Sequence, residues 1–323
     1  MAASRNRPPG SPAAAVAGFL EARLGLADRV CVGLSGGCDS VVLLHAAAAL
    51  GLGERLSALH VNHGLSPHAG MWAEFCTMLC VGLGVRLAVA SVTVDRVSGL
   101  GIEAAARNAR YEAFSRCAAD VLLLGHQRDD QAETLLFNLL RGSGIAGAAA
   151  IRNERTLGGL RLLRPLLGLP RAVIEAYAVE HGLEWIHDES NDDTALARGF
   201  LRREVFPLLA RRFPGGSENL ARAAGHFAEA SGLLDELAAI DWVYAAEGEA
   251  LRLRMLRALS PARQANLLRY RLRQIGWQAP SAARLAEFCR QLQTARPERH
   301  PELALPEGTM RAARGLLRWE PAK

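Results

Sequence analysis

The sequence predicts an α/β protein: a doubly wound parallel sheet of strand order 3-2-1-4-5, joined to a smaller, mainly helical second domain. Three observations lead there. From about Ala15 to Arg212, strand-like apolar runs alternate with amphipathic or Ala-rich segments, the pattern of a parallel sheet covered on both faces. Two polar stretches, "SGGCDS" (Ser35 to Ser40) and "GHQRDDQAET" (Gly125 to Thr134), directly follow such runs, where an open α/β sheet binds its ligands. Pro214, Gly215 and Gly216 then break the chain, and beyond them helix-period apolar positions are interleaved with arginine.

Residues 1–14 read as a Pro-rich tail, expected to be disordered, ahead of the sheet domain at 15–212. "RVCVGL" supplies strand one and "SGGCDS" the turn into the helix "VVLLHAAAAL". Strands two, three and four follow at "LSALHV", "RLAVASVTV" and "DVLLLG", with helical patterns between, and "LRLLRPL" is the candidate fifth strand. A linker helix is expected over 213–247, with Ser217 as N-cap and apolar residues at Leu220, Ala224, Phe227, Leu234 and Leu237. In 248–323, Ser260-Pro261 starts one helix and Pro280-Ser281 another, and a short strand pair is placed near "TMRAARGLLRWE".

At 323 residues and 50% hydrophobic content the chain can bury two cores. No apolar run approaches the ~20 residues of a membrane span, and Glu21 and Arg23 interrupt the one stretch that faintly resembles a secretion signal. The six cysteines contain no CxxC pair and read as buried thiols of a reducing compartment; cytoplasmic localisation is expected. The only lysine is Lys323, which excludes a Walker phosphate loop and leaves no internal lysine for a Schiff base. Residues 1–195 carry 17 Arg against 20 acids, whereas 196–323 carry 20 Arg and Lys323 against 13. That imbalance suits a polyanion on the second half, and equally a solvated helical face.

In the first polar stretch, Ser35, Gly36 and Gly37 can present backbone N–H groups to an anion, Ser40 adds a hydroxyl, and the following helix offers its positive end. Asp39 would repel a bare phosphate, so it suits a Mg²⁺ that bridges phosphate oxygens; the plain alternative is a helix cap. In the second stretch, a helix beginning near Asp129 puts Asp129 and Glu133 on one face with Asp130 beside them. His60 and His63, at i, i+3 without further ligands, make a poor zinc site.

The lysine-free S-G-G-x-D-S pattern after the first strand resembles the pyrophosphate-loop ATPases, which cut ATP between the α and β phosphates. "HVNHGL" (His60 to Leu65), "EAAARNARYEAF" (Glu103 to Phe114), "GHQRDDQAETLLFNLLRGSGIAG" (Gly125 to Gly147), "RPLL" (Arg164 to Leu167) and "DESNDD" (Asp188 to Asp193) are similar to segments of the tRNA(Ile)-lysidine synthetases within that group. Ser66 and Gly199 depart from that family's pattern, which usually has Arg and Asn there, and the chain resembles the short form without the extra C-terminal domain.

The resemblance implies ATP, Mg²⁺ and L-lysine as substrates and cofactor, and as partner a tRNA(Ile) with a CAU anticodon whose wobble cytidine is adenylated and then joined to lysine. It makes 15–212 the ATP-binding catalytic domain and 248–323 the tRNA-binding domain. Ser35, Gly36, Gly37, Asp39, Ser40, His60, Asn62, His63, Gly125 and His126 are then expected around ATP, with Asp39 and Asp129 on the metal. Asp129, Asp130 and Glu133 handle metal and lysine, Glu133 foremost for the amine, and Arg107 steadies the adenylate. Arg141, Gly142, Ser143 and Gly144 form a loop that can close over the site, and Arg198 and Arg202 face RNA or that loop. Tyr111 and Trp185 are candidates to stack on the flipped base, against core packing for both. No membrane partner is expected, and a homodimer is left open. A tRNA thiolase of the same fold and a non-catalytic ATP- or RNA-binding relative are the rival readings; the missing CxxC speaks against the first and the full acidic set against the second.

Overall fold

Alternation along the first strand sets the layering. In the computed structural model, which describes residues 10–95, 101–187, 197–294 and 299–322, β1 (Val30–Gly33) turns Val30 and Val32 into one apolar cluster and Cys31 into another. β4 (Val121–Leu123) repeats this with Val121 and Leu123 on one side and Leu122 on the other. Side chains that alternate between two dry faces require helices on both. One face takes Val16 and Leu20 of α1 (Pro12–Glu21), Val41 and Leu44 of α2 (Cys38–Ala48), Cys76 of α3 (Ala69–Leu83) and Ile174 of α7 (Arg171–Glu180). The other takes Phe114 of α4 (Ile102–Ser115). Val30, Val32, Val41 and Leu44 are fully buried, and each such side chain contributes roughly 1.5–3 kcal/mol.

β2 (Leu56–Asn62), β3 (Arg86–Ser91), β5 (Glu154–Leu157) and β6 (Leu160–Leu163) complete a sheet of order β3-β2-β1-β4-β6-β5. Its first five members in that order pair in parallel, so the expected 3-2-1-4-5 arrangement holds, with β6 as the fifth strand. β5 is an addition, folded antiparallel onto β6 through Gly158 and Gly159, both at positive φ (54° and 93°). Paired glycines between strand-like runs are a hairpin signal. At the base of the sheet, Arg29 donates to Asp120 through its backbone N–H (2.9 Å) and its Nε (3.1 Å), fixing the starts of β1 and β4 side by side.

The chain divides into two compact units, residues 1–228 and 229–323, so the division falls within the long helix α10 (Gly216–Ala245). Ahead of α10 in the first unit come α5 (Arg128–Leu140), α6 (Ile145–Ala148), α8 (Ala197–Phe200), a π-helical turn over Leu201–Val205, and α9 (Phe206–Arg212). The second unit holds α11 (Leu253–Ala258), α12 (Pro261–Gln274) and α13 (Ala282–Thr294). Ser260 caps α12 and Pro261 opens it, as the sequence predicts. Where the sequence suggests one strand pair, the unit carries a five-stranded antiparallel sheet: β7 (Ala246–Glu247), β8 (Ala250–Arg252), β9 (Glu302–Leu305), β10 (Gly308–Ala313) and β11 (Leu316–Pro321). Leu251, Met310 and Leu317 of that sheet share a core with Leu268 and Phe288 of the helices.

Candidate active site

The turn after β1 is built from its own hydroxyls. Ser40 Oγ accepts from the Ser35 N–H (3.2 Å) and donates to the Gly37 carbonyl (2.9 Å), while Ser35 Oγ accepts from the Gly37 N–H (3.3 Å). Gly36 sits at φ 90°, and a Cβ there would lie 2.4 Å from Ile186 Cδ1; only glycine suits both the backbone and the space. Ile186 also donates its N–H to the Gly36 carbonyl (2.9 Å), so the chain near 186 clasps the turn. α2 begins at Cys38 behind Gly37, which makes no side-chain cap, so the N–H groups of Cys38 and Asp39 are left available to an anion. Asp39 lies inside the first helical turn and is not that cap.

The two polar stretches converge. A Cβ on Gly125 would come within 3.0 Å of the Asp39 carbonyl, so the end of β4 passes against the first turn of α2. Asp39 Oδ1 is buried without a hydrogen-bond partner, and its carboxyl is pushed up to about 7, by burial first and then by the charge of Asp130. Asp130 is pushed up to about 6, again chiefly by burial, and one of its oxygens accepts from the Gln127 N–H (3.0 Å). Gln127 Oε1 in turn accepts from the Asp129 N–H (2.6 Å), completing a capping box that starts α5. An orphaned buried carboxylate oxygen at a phosphate-type turn fits a Mg²⁺, which is commonly held by one or two carboxylates plus phosphate oxygens.

Asp129, expected on the metal, holds α5 against its neighbours in the fold. One of its oxygens accepts from the Arg171 N–H at the start of α7 (3.0 Å) and the other from Ser217 Oγ, bonds that tie α5 to its neighbours and leave each oxygen a further lone pair. The i, i+4 argument put Asp129 and Glu133 on one face, but which way that face turns depends on how α5 rolls against α7 and α10. Glu133 is buried and takes two bonds from Arg202, at 2.7 and 2.6 Å, and Arg202 Nη2 also stands 3.6 Å from Asp130. Arg202 comes from the π-helical turn, an irregularity frequent at functional positions. Beside this cluster lies a cavity of about 300 Å³ in which Asp129, Glu133, Arg171 and Arg202 meet apolar walls from Phe206, Leu209 and Phe213.

Beyond Asp130, arginines surround the end of β4. His126 is pushed down to about 3, by burial first and then by the charges of Arg164, Arg107, Arg110 and Arg198. His63 is pushed down to about 4, chiefly by burial and then by Arg110. Both imidazoles are therefore neutral near pH 7, and each has a buried Nδ1 without a partner. Arg107 stands 5.1 Å over the Tyr111 ring and donates to its hydroxyl (3.3 Å). Arg164, 4% exposed, donates to the Arg152 carbonyl (2.7 Å). Sequence reasoning gave Arg164 and Arg171 no role; the signal for Arg164 was an arginine directly after the strand-like run of β6, a place where burial of a charge is costly unless it is paired.

Other expected positions fall elsewhere. His60 is buried with Nδ1 at 2.9 Å from the Leu34 carbonyl and 3.4 Å from Cys76 Sγ, a prop beneath the turn. Asn62 accepts from the Gly64 N–H (2.8 Å), and Ser66 from the His68 N–H (3.1 Å), both closing local turns. Around Gly142, Ser143 and Gly144, the Ser143 N–H donates to the Asn138 carbonyl (3.0 Å) and Asn138 Nδ2 to the Gly147 carbonyl (2.8 Å). Arg141 and Arg198 flank Phe137 at 5.2 and 5.7 Å. Gly199 is buried within α8, so that segment is helical rather than a loop. Tyr111 packs edge-on against Phe114, while Trp185 is exposed. "DESNDD" (188–193) lies outside the described residues. All six cysteines are free thiols, and no group of three or more metal-ligating side chains occurs among the described residues.

A phosphate-type turn without lysine, at the crossover of a doubly wound sheet and facing an acidic cluster, defines a PP-loop nucleotide-binding protein; the PP-loop domain matches residues 16–209, and a TilS substrate binding domain matches 251–318. A tRNA(Ile)-lysidine synthase of Aromatoleum aromaticum is 50% identical over 284 residues, covering 87% of this chain and 66% of its own length. One of Alkalilimnicola ehrlichii is 46% identical over 303 residues, covering 93% and 68%. The chain belongs to the tRNA(Ile)-lysidine synthase family. It spans about two thirds of the length of these relatives. Among solved structures, the U34-tRNA thiolase NcsA from Methanococcus maripaludis with its [4Fe-4S] cluster is similar with a TM-score of 0.58 at 18% identity, over 68% of this chain and 78% of that one, a likeness of fold alone.

Proposed function

We propose that the chain joins L-lysine to carbon 2 of the wobble cytidine of a tRNA(Ile) with a CAU anticodon, cleaving ATP to AMP and pyrophosphate and forming lysidine. One observation carries this reading: Arg171 and Arg202 line the acidic cavity and also lie within electrostatic reach of Asp39 in the phosphate turn. A nucleotide site and a pocket of amino-acid size thus share their charged walls.

The carbonyl oxygen on carbon 2 is a poor leaving group. Its attack on the α phosphorus forms an O–P bond and releases pyrophosphate; a neutral amine of lysine then bonds carbon 2, and AMP departs with the oxygen. In this scheme Ser35, Gly36, Gly37 and Ser40, with the uncapped end of α2, hold the pyrophosphate portion. A Mg²⁺ held by Asp39 would supply charge neutralisation between the phosphates. Arg107, Arg164 and neutral His126 face the adenylate. The 300 Å³ cavity takes lysine, its aliphatic stem on Phe206 and Phe213 and its carboxylate toward Arg171 and Arg202. Glu133 retains lone pairs beyond the two that Arg202 occupies and binds the ammonium. Asp130, pushed up to about 6 and not assigned to the metal, is the carboxylate that accepts the proton the ammonium must lose.

The test supplies the purified chain with ATP, Mg²⁺, lysine and transcripts bearing CAU. AMP and pyrophosphate should form with the isoleucine transcript and not the methionine one, with labelled lysine becoming base-stable in the RNA. Incorporation of ornithine or sulfur in place of lysine would refute the substrate assignment.

A further inference from the structure

We propose that Ser217 is a positioning residue for the amino-acid step: its hydroxyl holds the Asp129 carboxylate on the wall of the cavity of about 300 Å³, where it receives the α-ammonium of lysine. A serine at the start of a helix ordinarily caps that helix, and the sequence predicts this for Ser217. α10 instead begins at Gly216, so Ser217 lies inside the first turn and its Oγ donates to Asp129 Oδ1, 88 residues away on α5. Asp129 Oδ2 accepts from the Arg171 N–H at the start of α7 (3.0 Å). Donors from two further helices thus fix the plane of a side chain whose terminal torsion is otherwise broad.

Both donors are uncharged, so neither neutralises the carboxylate, and each oxygen keeps a further lone pair. Asp129 and Ser217 line the cavity together with Glu133, Arg171 and Arg202. The two guanidiniums have acids of their own, Arg171 in Glu175 (2.7 Å) and Arg202 in Glu133 (2.6 Å). Asp129 is therefore the lining carboxylate that a cation in the cavity complements, through a charge-assisted hydrogen bond. Lysine brings two ammonium groups: Glu133 meets one in the scheme above, and the α-ammonium falls to Asp129. Without the Ser217 hydroxyl, Oδ1 loses its donor and the carboxylate is free to turn from the cavity wall.

This inference rests on the proposed reading of the cavity as the lysine site, and its test separates the two. Lysidine formation by the full chain is measured for Ser217→Ala and Ser217→Thr, with 6-aminohexanoate, which lacks the α-ammonium, as competitor. Glu218→Gln is the control, because it loosens the exposed Arg128–Glu218 pair (3.8 Å) between the same two helices without touching Asp129. Ser217→Ala should raise the KM for lysine about tenfold, the effect of one lost hydrogen bond to a charged group. The KM for ATP and the inhibition constant of 6-aminohexanoate should not move. Ser217→Thr should return the KM for lysine to the parental value, and Glu218→Gln should leave it there. A parental KM for lysine in Ser217→Ala would overturn the proposal, as would a Ser217→Thr variant no better than Ser217→Ala. An equal rise in the KM for ATP or in the 6-aminohexanoate constant would overturn it too, by showing a general loss of structure. A parent chain that retains labelled lysine on dialysis but forms no lysidine would defeat the ligase reading alone, and the presence or absence of a tenfold difference in retention between parent and Ser217→Ala would then decide the inference.

Discussion

Arg202 and Glu133, 69 residues apart in sequence, meet through two hydrogen bonds of 2.7 and 2.6 Å on a carboxylate that is almost wholly buried. The pair joins the π-helical turn to α5 and sets the charged end of the 300 Å³ cavity. Arg202→Met leaves Glu133 unpaired in a dry site, which costs on the order of 2–4 kcal/mol after allowance for the partly exposed guanidinium. Thermal melts should show a larger loss for Arg202→Met than for the double variant Glu133→Gln, Arg202→Met. Equal losses would mean that the two side chains are not energetically coupled. Lysidine formation should fall at least 100-fold in all of these variants.

Gly36→Ala meets two obstacles, the left-handed backbone and Ile186 Cδ1 at 2.4 Å. Ile186→Ala removes the second and not the first. The double variant should therefore regain part of the lost stability, with a residual deficit of about 1 kcal/mol from the strained φ, read by urea unfolding. Full recovery would show that strain at this turn is negligible.

Much of this site was legible before any coordinates. The strand order, the turn at Ser35–Ser40 and its meeting with Gly125 follow from the apolar alternation and the placement of polar residues at strand ends. What was hidden is how each side chain turns. Asp129 and Asp130 are neighbours in sequence, yet one bonds Arg171 and Ser217 while the other lies within electrostatic reach of Asp39. That division depends on contacts made by residues 42 and 88 positions away, which no local pattern encodes. The sheet of the second unit was obscured because its strands are short and carry arginine on their outer faces, a pattern that also suits a helix.

The six thiols differ in their burial. Cys117 is the half-buried one of six, and burial raises the thiols of Cys38, Cys76 and Cys80. Iodoacetamide should therefore label Cys117 first in the native protein, and Cys117→Ser should retain parental AMP formation. Loss of activity in that variant with an unchanged Tm would reopen the thiolase reading.

Asp39 couples stability to function with opposite signs. Its carboxyl is pushed up to about 7 in the folded chain by burial and then by Asp130, against about 3.9 when unfolded. Between those values the folded state holds more protons than the unfolded one, so stability falls as pH rises from about 4 to 7 and then levels. Asp39→Asn removes that contribution. In magnesium-free buffer the variant should be more stable than the parent at pH 8, by on the order of 1–3 kcal/mol, with the difference shrinking toward pH 5. The same variant should lose ATP-dependent chemistry, because the oxygen left without a partner in the fold is the one assigned to the metal. Urea unfolding at both pH values checks the first half and pyrophosphate release the second. A variant less stable than its parent at pH 8 would mean that the Asp39 carboxylate is solvated or paired in solution, and the metal assignment would fall with it.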